Sequence, residues 1–309
     1  MKKLGYLLSL FVGIGLASAS WADSPGDDKR YDDSDGGSGL NPEVLASLQE
    51  QGLAATEAVG SPCVNGRAMG MLPCRNIDLL SFVSNPAMGV PRLNDIWGWT
   101  DAASGREFAL VGGTNGTAFV EVTDPVNPRI IGLLPSHQKT ETGAPLVSTW
   151  RGIKVFGDHA FIGADRQNTH GMQVFDLRQL LDVEGAPVTF AETAHMPFGS
   201  SHNIVMNEET GYAYVVGTSR DVLQGDCGGG LLMVDVSNPS SPRRAGCYSA
   251  DGYTHDAQCV IYRGPDEEHQ NKEICFAYNE DTITVIDVTN KATPVQISRT
   301  WTTCATGSS

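Results

Sequence analysis

What most constrains this chain is a short apolar strand that ends on an acidic residue, runs into a proline turn, and returns at a nearly fixed interval. It reads Val120-Glu121-Val122-Thr123-Asp124-Pro125, then Val234-Asp235-Val236-Ser237-Asn238-Pro239, then Ile286-Asp287-Val288-Thr289-Asn290, with a degenerate copy at Phe175-Asp176-Leu177. The acidic positions Glu121, Asp176, Asp235 and Asp287 lie 55, 59 and 52 residues apart. A second series precedes each unit: Asn94-Asp95-Ile96, Trp150-Arg151-Gly152-Ile153, His202-Asn203-Ile204 and His255-Asp256-Ala257, opening 56, 52 and 53 residues apart. Between the markers lie runs rich in Val, Ile, Tyr and Phe, at 108–111, 160–163, 212–216 and 274–278, bounded by Gly, Asn and Asp. Each unit thus offers about four short strands and almost no helix, which is the arithmetic of a propeller blade. The expected fold is all-β, a β-propeller of four-stranded blades, with four blades recognisable at 92–135, 148–196, 199–249 and 252–301. A β-sandwich also holds many short strands, but it does not require the same markers four times. Proline cannot donate to a ladder, so the Asp-Pro and Asn-Pro steps end strands, and Asp124 and Asn238 can accept from their own following backbone to start the turn. The acid in each marker is expected to accept backbone hydrogen bonds within its own blade.

The N-terminus addresses the chain. Lys2 and Lys3, the apolar run Leu4 to Leu16 and the small residues Ala17, Ser18 and Ala19 read as a secretory signal peptide, assigned to 1–22. The run is too short for a stable membrane span, and no second one follows. Residues 23–60 are expected to be a flexible acidic, Gly- and Ser-rich leader with a short helix after Asn41-Pro42. The repeats fill 61–301, and 302–309 is an unstructured tail. A formal net charge of −15 excludes nucleic acid and anionic lipid as natural partners. In an oxidising compartment the cysteines read as disulfides: Cys63–Cys74 around a short loop, and Cys227–Cys247 and Cys259–Cys275 each within one blade or its adjoining strands. No Cys-x-x-Cys occurs, which argues against a zinc ribbon or a thioredoxin-type site.

The Val-Asp-Val and Asp-Pro-x-x-Pro units resemble the LVIVD-repeat propellers. The stretches Gly252-Tyr253-Thr254-His255-Asp256-Ala257-Gln258-Cys259 and Ile274-Cys275-Phe276-Ala277-Tyr278-Asn279-Glu280-Asp281 resemble the choice-of-anchor B family, as do Leu93-Asn94-Asp95-Ile96-Trp97-Gly98-Trp99 and His170-Gly171-Met172-Gln173-Val174-Phe175-Asp176-Leu177. The resemblance covers roughly residues 60–300. It implies an exported protein held at the cell surface by a C-terminal anchor, with no established enzymatic activity to carry over. It also implies a further blade and an anchor, whereas this sequence stops at Thr302-Thr303-Cys304-Ala305-Thr306-Gly307-Ser308-Ser309. The expectation is a C-terminally truncated propeller in which Cys304, the seventh cysteine, is an accidental thiol.

The candidate site follows from the second marker series. In a propeller the first strand of each blade lines the axis, so equivalent polar side chains converge there. His202, His255 and Asp256 form a candidate set for zinc, copper or another divalent ion, with Asn94, Asp95, Arg151 and Asn203 as further axial polar positions. The competing reading of the same residues is a hydrogen-bonded axial plug. His170 is expected to be a satisfied loop histidine able to add a ligand from the rim. Trp97, Trp99 and Trp150 are expected to pack between blades. There is no Gly-x-Ser-x-Gly elbow, no His-Glu-x-x-His and no phosphate loop. Two functions remain: a secreted or cell-surface binding or scaffold module taking a protein or glycan ligand on a propeller face, or a metal-dependent extracellular hydrolase or oxidoreductase.

Overall fold

The computed structural model describes residues 60–70, 72–166, 169–218 and 227–302. The expected signal segment, the leader up to residue 59 and the tail from residue 303 lie outside the described residues, as do the helix after Asn41 and Cys304. The chain divides into two compact units, one of Met1–Leu134 with Leu180–Phe190, the other of Pro135–Gln179 with Ala191–Ser309.

The described part of the first unit opens with a two-residue hairpin, β1 (Arg67–Ala68) with β2 (Leu72–Pro73), closed by the Cys63–Cys74 disulfide. The antiparallel strands β3 (Leu93–Thr100), β4 (Glu107–Gly113), β5 (Gly116–Glu121) and β6 (Arg129–Pro135) follow in meander order. Val111, Ala118, Val120 and Val122 pack with Met88 and Val90 to form its core.

In the second unit the first sheet holds β7 (Arg151–Phe156), β8 (His159–Ala164) and β9 (Met172–Asp176). After β9 the chain leaves this sheet. Its next strand, β10 (Val188–Thr189), pairs in parallel with β6 and makes the first unit's sheet five-stranded. Gly132 on β6 is what permits this approach, because a Cβ there would fall on the Val188 carbonyl. Phe190 then packs edge-on against Phe119, with centroids 5.5 Å apart. The chain returns as β11 (Ala194–Met196), the outer strand beside β9. Two more four-stranded antiparallel sheets follow: β12 (Asn203–Asn207), β13 (Tyr212–Val216), β14 (Leu231–Asp235) and β15 (Arg243–Tyr248), then β16 (Asp256–Ile261), β17 (Glu273–Tyr278), β18 (Thr282–Asp287) and β19 (Val295–Trp301). The all-β, blade-built expectation is met. The expected pairs Cys227–Cys247 and Cys259–Cys275 are disulfides, the second joining residues directly opposite on β16 and β17.

Within the second unit β12 stands against β7 on one side and β16 on the other. Successive side chains on a strand face opposite ways, so the β12–β15 sheet buries both faces. Ile204, Ala213, Val215, Leu232 and Val234 pack with Phe161, Met172 and Val174 of the preceding sheet. The intervening Val205, Tyr214, Val216, Leu231 and Met233 pack with Ala257, Cys259, Cys275, Ala277 and Ile286 of the following one. Two-sided burial is why these strands read as unbroken apolar runs rather than as an alternation.

The marker acids sit where the strands end. Asp176, Asp235 and Asp287 accept the backbone N–H two residues on, at 3.1, 3.0 and 3.0 Å, as expected. Each also meets a basic side chain: Arg178, Arg243 or Lys272. Glu121 differs. Its longer side chain reaches the Thr123 hydroxyl, Arg106 at 2.7 Å and Arg129 at 2.9 Å, and the Arg106 guanidinium first among these holds its carboxyl down at about 2. The residue after each acid donates to the first residue of the second strand or to the one just before it: Val122 to Glu107, Leu177 to Asp158, Val236 to Gly211 and Val288 to Glu273.

Glu273 is the polar tie between the last two sheets. It is 3 % exposed, and it accepts from Tyr214 Oη and Asn207 Nδ2 at 2.6 Å, from Thr210 Oγ1 at 2.8 Å and from Lys291 Nζ at 2.6 Å. Burial pushes its carboxyl upward, but Lys291, Tyr214 and Thr210 outweigh that and hold it below the usual range. Removing one member of a buried, fully bonded charge pair costs about 3–5 kcal/mol. Glu273→Ala should therefore lower the unfolding free energy by that amount in urea titration, whereas Glu209→Ala, which removes an exposed pair with Arg263, should cost less than about 1 kcal/mol.

Candidate functional site

The second marker series does bring equivalent side chains together. The His202 and His255 rings lie 4.2 Å apart at a tilt of 46°. On the next residue, Asn203 Nδ2 donates to Asp256 Oδ1 at 3.2 Å. These are separate contacts, as alternation along a strand requires. Asn203 and Asp256 each also accept the N–H of the following residue at 2.8 Å, and in the first unit Asp95 does the same for Ile96. Asn94 falls at a bulge in the β3–β4 ladder. In β7 the corresponding position is Gly152, where a Cβ would lie 2.9 Å from Asn203 Oδ1 and 3.0 Å from the Ile204 nitrogen. Glycine there leaves room for the neighbouring asparagine.

The carboxylate bonded to His202 belongs to Asp165, just after β8. His202 Nδ1 and Asp165 Oδ2 are 2.8 Å apart, so Nδ1 is the nitrogen that donates to this carboxylate. Gly217, at φ +60°, makes space for this ring, since a Cβ there would press on His202 and Tyr253. Asp165 was not foreseeable from the repeat, because the residue directly after the second strand is Thr114, Gly217 or Asn279 in the other sheets.

Arg151 joins a different group. Its Nη2 donates to Ser136 Oγ at 2.6 Å and its Nη1 to His170 Nε2 at 3.3 Å. Burial draws the guanidinium down to about 10. His170 is fully buried rather than at a rim, and its Nδ1 donates to the Gly171 carbonyl at 3.1 Å. Beside it the His137 and His195 rings stack at 3.6 Å and 4°. His137 Nδ1 meets Glu192 Oε1 at 2.8 Å, and His195 Nε2 donates to the His170 carbonyl at 2.8 Å. The ligand atoms of His137, Glu192 and His195 all lie within 4.8 Å of one another. Sequence reasoning missed this set, because a loop and an outer strand carry no repeated marker. Its only trace was that these histidines fall outside the repeat register. Of the tryptophans, Trp99 packs on Phe108 in the first unit's core, Trp97 is exposed, and Trp150 is half-buried beneath Arg166, 4.7 Å away.

The sheet that carries His202 and Asn203 at its opening is also the part of the chain that matches a known repeat. Residues 199–250 match the LVIVD repeat. The match spans the whole of this blade, β12 to β15, with the turn before it. The chain has no significant match among curated proteins. The turn bonds around Asp176 and Asp287 repeat the scheme that the matched blade shows around Asp235.

His170 generates a pH dependence. Burial first, and the Arg151 charge second, pull its imidazole down to about 3. As pH falls below the ordinary value near 6.5, the unfolded chain takes up a proton that the folded one refuses. Stability is therefore complete above about 6.5 and declines toward acid, by about 1.4 kcal/mol per pH unit for this one group. His195 and His159 are also lowered by burial and add in the same direction. In urea titrations between pH 6 and 4, His170→Asn should flatten the slope by about one proton, whatever offset the substitution itself introduces.

Proposed function

We propose that this chain is an exported β-propeller-type binding module that takes a protein or glycan ligand on an exposed face of its blades. The observation that carries the proposal is how the axial polar residues are used. Asn203 bonds Asp256, both cap the next backbone amide, and His202 bonds Asp165. Side chains committed to each other and to the backbone tie inner strands together, which is the work of a scaffold. Three disulfides fit an oxidising compartment, and no helix among the described residues is long and apolar enough to cross a membrane. Exposed aromatic surface is present for recognition: Trp301 is 64 % exposed with Arg299 stacked 4.3 Å from its ring. Flat rings paired with arginine suit both sugar faces and protein hot spots.

The second reading, a metal-dependent extracellular hydrolase or oxidoreductase built on His202, His255 and Asp256, is favoured by the 4.2 Å approach of the two rings. Fractionation of cells producing the full chain should place it outside the cytoplasm. The labelled protein should bind saturably to intact cells or to an arrayed glycan, and a His202→Ala, His255→Ala double variant should keep that binding. A stoichiometric transition metal and a hydrolytic or redox activity, both lost in the double variant, would establish the enzyme instead.

A further inference from the structure

The second histidine cluster lies away from the axial residues and is built from parts the repeats do not specify. His137 is in the segment after β6, Glu192 precedes β11, and His195 is the central residue of β11, directly opposite Gln173 on β9. We propose that His137, Glu192 and His195 form a binding site for a divalent transition-metal ion of the zinc type, with a coordination position left for water or for an oxygen of a bound ligand. The site is independent of the binding-module reading above.

Three observations support it. First, the three donor atoms converge within 4.8 Å, and all three side chains are half-buried, so that an ion can enter. Two imidazoles and one carboxylate are a zinc-type donor set; a hard cation such as calcium would need oxygens throughout. Second, the outer partners that orient metal ligands are in place. His195 donates its Nε2 proton to the His170 carbonyl at 2.8 Å, which fixes the ring and leaves Nδ1 as the nitrogen with a lone pair to offer. Glu192 Oε2 accepts from Gln173 Nε2 at 2.9 Å, and that amide also donates to the Pro135 carbonyl at 3.1 Å, so Oε1 is the oxygen that faces His137. Third, a proton occupies the line between His137 Nδ1 and Glu192 Oε1, 2.8 Å apart. An ion would replace that proton.

Stacked imidazoles cannot aim two lone pairs at one point, so one ring must turn about its Cβ–Cγ bond when the ion enters. His195 is pinned by His170, whereas the His137 side chain is 34 % exposed, and His137 is the ring that turns. The positive charge nearby, Arg151 on His170, opposes a cation, and the Glu192 carboxylate offsets it.

The test is calorimetric titration of the chelator-treated full chain with zinc, alongside cobalt(II) as a spectroscopic probe. The expected result is one equivalent bound near neutral pH, four-coordinate cobalt absorption bands, a raised melting temperature, and affinity that falls as pH drops through the histidine range. Glu192→Gln and His137→Ala should each weaken binding by more than about 100-fold, and Gln173→Ala by about 10- to 100-fold, the range for outer partners. Circular dichroism confirms that each variant is folded, and the near-isosteric Glu192→Gln serves where His137→Ala does not fold. The His202→Ala, His255→Ala double variant should bind as the wild type does. Absence of one-to-one binding in the wild type, binding that survives in folded Glu192→Gln, or binding lost in the axial double variant alone would overturn the proposal.

Discussion

A sheet covered on both faces has no side on which to keep a charge, and the second unit is organised by that constraint. The β12–β15 sheet sends alternate side chains into two separate cores, one shared with the sheet before it and one with the sheet after. Its middle strands β13 and β14 are therefore apolar or aromatic up to Asp235 at the end of β14, and charge appears on the outer strand β15, which opens on the exposed Arg243 and Arg244. Glu273, at the start of β17 in the next sheet, is the carboxylate buried against this one. A carboxylate can sit between two sheets only because Lys291, Tyr214, Asn207 and Thr210 fill its lone pairs.

The same confinement explains why the turn acids repeat. Once the strand interior is closed to polar groups, the corner after the third strand is where a side chain can both cap the turn and hold a base. Asp176, Asp235 and Asp287 do both, and their carboxyls are held below the ordinary range; for Asp287 this happens against the upward push of burial. Glu121 reaches past the turn amide and closes the corner through two arginines instead. An identical position in the sequence thus serves the same end by different bonds, decided by one methylene.

Most of the strand scaffold was legible because it rests on short-range rules: a period of two along strands, proline and Asx chemistry at their ends, and cysteine pairs within one blade. The pairing of His202 with His255 and of Asn203 with Asp256 was legible too, since equivalent positions on adjacent first strands must meet. Asp165, His137, Glu192 and His195 were not. They come from ends and loops that differ from blade to blade, and a period carries no information about residues that do not repeat. Arg151 shares the axial register by sequence, yet its long side chain reaches Ser136 and His170. Strand β10 escaped notice because two residues pairing in parallel leave no pattern to find.

That short strand has a consequence for how the molecule is made. Residues 180–190 complete the first unit's sheet, yet in chain order they follow β7, β8 and β9 of the second. The first unit is therefore not a contiguous stretch of chain, and no single cut yields both units whole. As the protein emerges from the ribosome, the sheet begun at Leu93 keeps an open flank beside β6 while three strands of another sheet are delivered. Only when Phe190 has come out and closed on Phe119 does the first unit possess all its parts. The order of synthesis and the order of assembly are thus interleaved, and the two units are stitched through each other in time.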